Sequence, residues 1–380
     1  MRFGNNFRRI VSFAVDHRWE SLSPALWATV SRVLRARFGY YFSRVSDTEF
    51  HYNLQQIQIR PWNLHIELTN ICNANCIFCA YSYQSRKKTI MEQVIYEKAL
   101  GDYCELGGGE LRLESCVGDP LVAPDFIERV RQARSHPEIT RIITLTNGID
   151  LNRIGFEALR SCGIDEVNIS TGPWDADLYG RIYRTGRYHD LRQGVTTLLE
   201  QNAKCARPLR IKLLFRSSLS LTKTLNLPDF QHIRNLAKQI EFNTDFDTWL
   251  GLIKQTDLLP GMHIRPLARI ETEPCYLLYD GPIVFADGGV GLCGCRDFNA
   301  NSELIIGNIM TSSLLDLWQS EATQRLRRRF WAGDFPEICK QCTTYANLDL
   351  YRSKAGSQRA ELVGRWFARS TRHSSTITLH

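Results

Sequence analysis

The sequence predicts an α/β fold built on parallel strands, preceded by basic helices and followed by a small cysteine-rich α+β unit. Three observations carry this. Strand-like apolar runs alternate with helical runs from about residue 62 to residue 240. Three cysteines, Cys72, Cys76 and Cys79, crowd into the segment after the first apolar run. Five more, Cys275, Cys293, Cys295, Cys339 and Cys342, gather towards the C-terminus.

The first strand falls at 62–69 and runs into the cysteine segment. A helix over 91–106 is stopped by Gly107-Gly108-Gly109, because glycine tolerates the left-handed turn that ends a helix. Further strands read at 110–116, 141–146, 166–170 and 209–215, with helices at 124–135, 152–162, 188–202 and 229–240 between and after them. A sixth strand belongs somewhere in 241–252, where no run stands out. In the C-terminal region, Ile306 to Ile309 reads as a strand end and Leu314 to Trp318 as a helix.

The C-x3-C-x2-C spacing of Cys72, Cys76 and Cys79 holds three thiolates close together, enough to bind a four-iron cluster but one ligand short of completing it. One iron is then left open to an outside ligand, as a catalytic zinc keeps a free position. A zinc site is the competing reading, with Cys339 and Cys342 as a partner knuckle to Cys76 and Cys79. Disulfides are disfavoured: Met1 to Arg9 is polar and basic, and no signal peptide is expected.

The Cys72 to Cys79 segment, with Phe78 before the third cysteine, resembles the signature of the radical S-adenosylmethionine superfamily. That resemblance, which spans about residues 60–250, implies a partial (β/α)6 barrel whose strand ends carry the cofactor contacts. It assigns Phe78 to the cofactor site. It places Gly118 and Asp119, in Val117-Gly-Asp-Pro-Leu121, at a turn that offers backbone carbonyls and a carboxylate to the methionyl ammonium group. It also places Asn147 of Thr146-Asn-Gly148 after the third strand, and Ser170 of Ser170-Thr-Gly172 after the fourth, beside S-adenosyl-L-methionine. Arg184 is the candidate clamp for the methionyl carboxylate, since guanidinium suits bidentate carboxylate binding.

The spacing Cys275-x12-Gly288-x4-Cys293 and the pair Cys339-x2-Cys342 resemble the SPASM/twitch extension of such enzymes. No cysteine follows Cys342, so the resemblance implies one auxiliary [4Fe-4S] cluster on Cys275, Cys293, Cys339 and Cys342, with Cys295 competing with Cys293. A zinc ribbon is the alternative, since four thiolates also suit tetrahedral zinc. Cys104, Cys116, Cys162 and Cys205 read as ordinary thiols.

Charge is uneven. Residues 1–45 carry eight arginines against two acidic residues, and 350–380 carry six basic residues against one; the middle of the chain is therefore slightly acidic although the whole is +7. The expected division is a basic amphipathic helical segment over 1–58, the partial barrel over 59–265, the auxiliary-cluster domain over 266–348 and a basic tail over 349–380. Leu26, Trp27, Val30 and Val33 lie on one face of an N-terminal helix with arginines around it, a pattern suited to an anionic membrane surface as well as to docking on the barrel. No stretch approaches a membrane span, and no nucleic-acid module is found. The expected location is the cytoplasm, with peripheral contact at the inner membrane face through residues 1–45.

The resemblance implies a radical SAM oxidoreductase: reductive cleavage of S-adenosylmethionine, hydrogen abstraction by a 5'-deoxyadenosyl radical, and a flavodoxin- or ferredoxin-type reductant. The expected substrate is a hydroxylated or sugar-like small molecule or a lipid-linked sugar, and the expected outcome is two-electron dehydrogenation with the auxiliary cluster accepting an electron. Radical epimerisation of a sugar or lipid-linked glycan, and peptide maturation, are the alternative reactions. A zinc or iron–sulfur binding scaffold is the non-enzymatic one.

Overall fold

The computed structural model describes residues 54–55, 57–267, 274–346, 348 and 375–378. The helices expected over 1–45 and most of the basic tail lie outside them. Six parallel strands stand side by side in chain order: β1 (Asn63–Ile66), β2 (Gly109–Leu113), β3 (Ile139–Thr146), β4 (Glu166–Thr171), β5 (Arg210–Arg216) and β6 (Gln239–Asn243). Helices connect them: α1 (Gln93–Glu105), α2 (Phe126–Arg134), α3 (Leu151–Ile154), α4 (Phe156–Ser161), α5 (Ala176–Tyr183), α6 (Tyr188–Ala203), α7 (Leu221–Leu225) and α8 (Pro228–Ile233). This is the open, parallel α/β core that the strand and helix alternation of the sequence predicts.

Strand side chains alternate between two faces, and here the faces differ in chemistry. Leu64, Ile66, Leu111, Leu113, Val167, Ile169, Leu213 and Ile240 are buried in one hydrophobic core with the helices. The opposite face is polar. His65 lies in register with Arg112, Glu166 with Arg210, and Asn168 with Lys212. Its charges pair off across the strands: Arg141 bridges Glu110 (3.0 Å) and Glu166 (2.6 Å), and Lys212 meets Glu241 (2.7 Å). A sheet with one apolar and one charged face covers the first with helices and leaves the second to its paired polar side chains.

Two sequence expectations need correction. The helix expected over 152–162 is interrupted at Gly155, whose φ of 79° separates α3 from α4. The helix expected over 229–240 ends at Ile233, and β6 starts at Gln239. Ile240 and Phe242 alternate into the core opposite Leu213 and Phe215, so pairing with β5 overrides the helical pattern.

The chain continues through β7 (Asp245–Phe246) and β8 (His263–Ile264), which pair with each other, and α9 (Leu277–Asp280). β9 (Ile283–Val284) then pairs parallel with β1, β10 (Gly289–Gly291) antiparallel with β9, and β11 (Ile305–Asn308) antiparallel with β10. The sheet thus passes from the barrel into the C-terminal unit without a break. At its other edge β12 (Ser375–Thr378) runs antiparallel to β6. α10 (Leu314–Gln319) and α11 (Glu321–Trp331) begin at Ser313 and Ser320, whose hydroxyls accept from Asp316 and Thr323 amides. α12 (Glu337–Lys340) follows. The Leu314 amide donates to Asp102 of α1 (2.8 Å) and the Trp318 indole to the Ile57 carbonyl (2.9 Å), fixing the C-terminal unit to the barrel. Among the described residues no helix is long and apolar enough to cross a membrane.

Candidate functional site

Cys72, Cys76 and Cys79 follow the carboxyl end of β1, where parallel barrels keep their ligands. Their loop is held by backbone. The amides of Asn75 and Ile77 donate to the carbonyls of Tyr183 (3.1 Å) and Ile182 (2.9 Å), satisfying the C-terminal end of α5. The Asp119 amide donates to the Ile71 carbonyl (2.9 Å). Gly118 lies against the loop so closely that a Cβ there would stand 2.8 Å from the Thr69 carbonyl oxygen, and its φ is 151°. Any side chain at 118 would push the turn off the loop.

The three thiols are close enough to influence one another, and burial raises all of them, Cys72 to about 12 and Cys79 to about 11. Free of metal they are neutral, and a bound iron displaces their protons. Polar atoms without hydrogen-bond partners among the described residues lie near them: Asn73 Nδ2, Asn75 Oδ1, and the hydroxyls of Tyr179 and Tyr183. Cys76 is the strongest electrostatic neighbour of both phenols. The two rings stack at 4.5 Å, under Gly172, where a Cβ would come within 2.6 Å of Tyr183. The buried donors among these polar atoms, Asn73 Nδ2 and the two phenols, fit an inorganic cluster, whose sulfurs accept hydrogen bonds.

The structure brings most of the expected cofactor residues to this place. The Phe78 ring lies 5.5 Å from Tyr183, edge to face, and 5.0 Å from Phe246. Asn147 donates to Asn73 Oδ1 (2.6 Å), and its amide nitrogen lies 3.7 Å from Cys72 Sγ. Ser170 lies beside the Tyr183 hydroxyl. Asp119, the carboxylate expected beside the cofactor, has several donors from the protein itself. It is buried and accepts from the Leu121 amide (3.0 Å), the Thr146 hydroxyl (2.9 Å) and the Asn147 amide (2.5 Å), so it ties the β2 turn to the end of β3. Burial still pushes its carboxyl up to about 6. Arg184 ends α5 in the left-handed conformation (φ 48°) with an exposed side chain that makes no ion pair among the described residues.

The second thiol group is assembled from distant segments. Cys293, Cys275 and Cys342 are the strongest electrostatic neighbours of Cys339, and burial raises Cys275 and Cys293 to about 12. Cys76 instead has Cys79 and Cys72 as its thiol neighbours, so the two C-x2-C pairs sit in separate groups rather than as the paired knuckles weighed from the sequence. Cys295 also adjoins the group: its Sγ and that of Cys342 lie 3.8 Å and 3.4 Å from the Thr344 hydroxyl. Four thiols, Cys275 and Cys339 buried and Cys293 and Cys342 half-buried, with a fifth at hand fit a fully ligated cluster or a zinc.

Sequence reasoning missed what lies between the groups. Arg296, next to Cys295, is an electrostatic neighbour of Cys79 in the first group and of Cys342 in the second. Its guanidinium pairs with Asp247 (2.8 Å), donates to Cys295 Sγ (3.1 Å) and stacks over Trp249 at 4.4 Å. The Trp249 indole donates to the Phe78 carbonyl (2.9 Å). Trp249 and Leu250 both have positive φ, 47° and 62°, an uncommon conformation for bulky residues that costs each on the order of 1–2 kcal/mol. Asp247 stabilises it by accepting from the Trp249 amide, and its other oxygen accepts from Thr343. The only hint in the sequence was a charged residue directly after Cys295. A buried ion pair also joins Glu67, directly after β1, to Arg86 (2.7 Å), which lies over the Phe285 ring.

Comparison with known proteins follows this division. Residues 66–207 match the family model described as the Radical SAM superfamily, and residues 275–343 match SPASM, an iron–sulfur cluster-binding domain. The chain is similar to GTP 3',8-cyclase of Petrotoga mobilis, 27% identical over 201 residues, covering 52% of this chain and 58% of that protein. It is also similar to a probable GTP 3',8-cyclase of Pyrococcus abyssi, 30% identical over 152 residues, covering 40% and 47% respectively. The chain spans about half the length of the curated relatives it matches. In fold it resembles Streptococcus suis SuiB bound to precursor peptide SuiA, with a TM-score of 0.53 at 15% identity over 81% of this chain and 77% of that one. It likewise resembles anSMEcpe with bound AdoMet, with a TM-score of 0.51 at 15% identity over 82% and 98%.

Proposed function

Since the chain belongs to the radical SAM superfamily and carries a SPASM iron–sulfur domain, we propose that it abstracts hydrogen from a hydroxylated or sugar-like substrate and oxidises it by two electrons. Its cofactors are S-adenosylmethionine, the [4Fe-4S] cluster that binds it and an auxiliary [4Fe-4S] cluster. When bound, they supply hydrogen-atom abstraction and one-electron transfer. Cys72, Cys76 and Cys79 hold the first cluster; Cys275, Cys293, Cys339 and Cys342 hold the second, with Cys295 beside them.

The observation that carries this reading is the polar inner face of the sheet. His65, Arg112, Asn168, Lys212 and Glu241 line it where an apolar substrate would want aliphatic side chains. Buried polar groups favour a substrate that can hydrogen-bond to them and reject one that cannot. Phe78, Tyr183 and Phe246 form the aromatic wall beside the first thiols, suited to a flat heterocycle. Asn147 and Ser170 orient polar groups next to it, and Arg184 holds a carboxylate if its exposed side chain folds inward. A flavodoxin- or ferredoxin-type protein is the proposed reductant, and a lipid-linked sugar belongs to the same substrate class as a free one.

A purine nucleotide is the second reading, favoured by the similarity to GTP 3',8-cyclases. One experiment separates the two. Anaerobically loaded protein, reduced and given S-adenosylmethionine, is offered aminocyclitols and sugars deuterated at the carbinol carbon, and in parallel GTP deuterated on the ribose. Deuterium in 5'-deoxyadenosine from a carbinol, with a ketone as product, supports dehydrogenation. Transfer from GTP alone overturns the sugar reading.

A further inference from the structure

We infer that Cys104, His136 and Glu138 form a divalent-metal site of the zinc type, on the barrel's rim away from both thiol groups. Cys104 lies in the last turn of α1, and His136 and Glu138 flank Pro137 in the turn from α2 to β3. A sulfur, an imidazole nitrogen and a carboxylate oxygen from the three lie within 4.8 Å of one another. Both turns precede their strands, β2 and β3, so they occupy the strands' amino ends, whereas Cys72 to Cys79 follow the carboxyl end of β1.

Backbone brings the three together. After α1 the Gly107 and Gly108 amides donate to the carbonyls of Cys104 and Tyr103, each at 2.9 Å. Gly108, at φ 59°, then meets the other turn so closely that a Cβ would stand 2.4 Å from the Glu138 carbonyl oxygen. On the opposite side the His136 amide donates to the Ala133 carbonyl (3.2 Å), and the His136 carbonyl accepts from Ile139 (3.1 Å). The ligands are therefore preorganised on two hydrogen-bonded turns. Cys104 and His136 are half-buried and Glu138 is exposed, which leaves the site open to solvent.

The donor set selects the ion. One thiol, one imidazole and one carboxylate suit borderline-soft zinc at tetrahedral geometry, with water in the fourth position. Calcium and magnesium call for oxygen ligands alone, and a four-iron cluster calls for more than one thiolate. A zinc here clamps α1 to the start of β3. This inference stands apart from the radical chemistry and does not require it.

The test uses the full chain with both thiol groups loaded with iron and sulfide, dialysed to equilibrium against radioactive zinc. The unmodified protein should retain about one more zinc per chain than Cys104→Ser or His136→Gln. Its thermal midpoint should rise with added zinc while theirs stays flat. Unchanged iron content in the variants shows that they fold; if Cys104→Ser does not, His136→Gln carries the test. Equal zinc retention by all three proteins overturns the site. Zinc uptake that occurs only as iron is lost overturns it too, because the metal is then at the other thiols.

Discussion

The two thiol groups are built in opposite ways. The first comes from eight consecutive residues, Cys72 to Cys79, on one loop fixed to α5 and to the β2 turn. The second draws Cys275 from before α9, Cys293 from after β10, and Cys339 and Cys342 from around α12. A local loop with three thiols leaves a cluster one ligand short and open to a cofactor. A group closed by tertiary structure supplies four or five and leaves no iron open. The first is specified by spacing and the second by packing, so damage elsewhere in the fold should reach the second group first.

The largest effect expected is from Cys72→Ala/Cys76→Ala/Cys79→Ala. Iron should fall from about eight per chain to about four and formation of 5'-deoxyadenosine should cease, while the second group keeps its absorbance. Cleavage that persists in this variant would mean the local loop is not the cofactor's anchor. Cys339→Ala/Cys342→Ala should also remove about four irons yet spare some cofactor cleavage, with substrate turnover lost. About twelve irons in the unmodified chain would show a further cluster and break the single-cluster reading of the second group.

Arg296→Gln probes the link between the groups. Removing one positive charge disfavours added electrons, so the potential of the second cluster should fall on the order of tens of millivolts, since such a charge is worth about 1–2 kcal/mol at an effective dielectric of ~20. Iron content should not change. An unmoved potential in a redox titration would show that Arg296 serves only the Asp247 and Trp249 contacts.

The smallest effect is a pH slope. Burial, with Arg112 nearby, lowers the His65 imidazole to about 3. Its folded-state value lies below its ordinary 6.5, so the neutral ring contributes stability that is present above pH 6.5 and lost as pH falls towards 3. His65→Gln should flatten the decline of stability across that window in denaturant titrations. Parallel declines in the two proteins would mean His65 is accessible to protons in the folded state.

The legibility of the sequence followed the same contrast. The strands were readable because Leu111, Leu113, Val167 and Ile169 alternate with polar residues, and the first thiols because three cysteines within one turn of loop have few structural uses. The second group was readable only through its resemblance to a known spacing, and Cys295 remained a rival to Cys293 because both reach the same pocket. Trp249, Asp247 and Arg296 were invisible, since their importance comes from Phe78 and Thr343, far away in sequence. The protein partners of Asp119 were not legible either, since Thr146 and Asn147 come from the end of the next strand and the turn after it. The sixth strand was hidden because Ile240 and Phe242 also suit a helix.

The pairing of β9 with β1 has a consequence for anyone who would cut the chain. His65 and Ile66 lie in register with Ile283 and Val284, and the amides of His65 and Glu67 donate to the carbonyls of Pro282 (3.0 Å) and Val284 (2.9 Å). A fragment ending near residue 265 would lose those acceptors and present the first barrel strand as a bare, apolar edge. Bare edges recruit other strands, so such a fragment should self-associate rather than fold alone. Grafting the C-terminal unit onto another barrel would meet the same obstacle from the other side: the recipient would have to supply a strand in matching register. The two units share a border that neither can give up, which makes the whole chain, rather than either half, the unit of expression and of engineering.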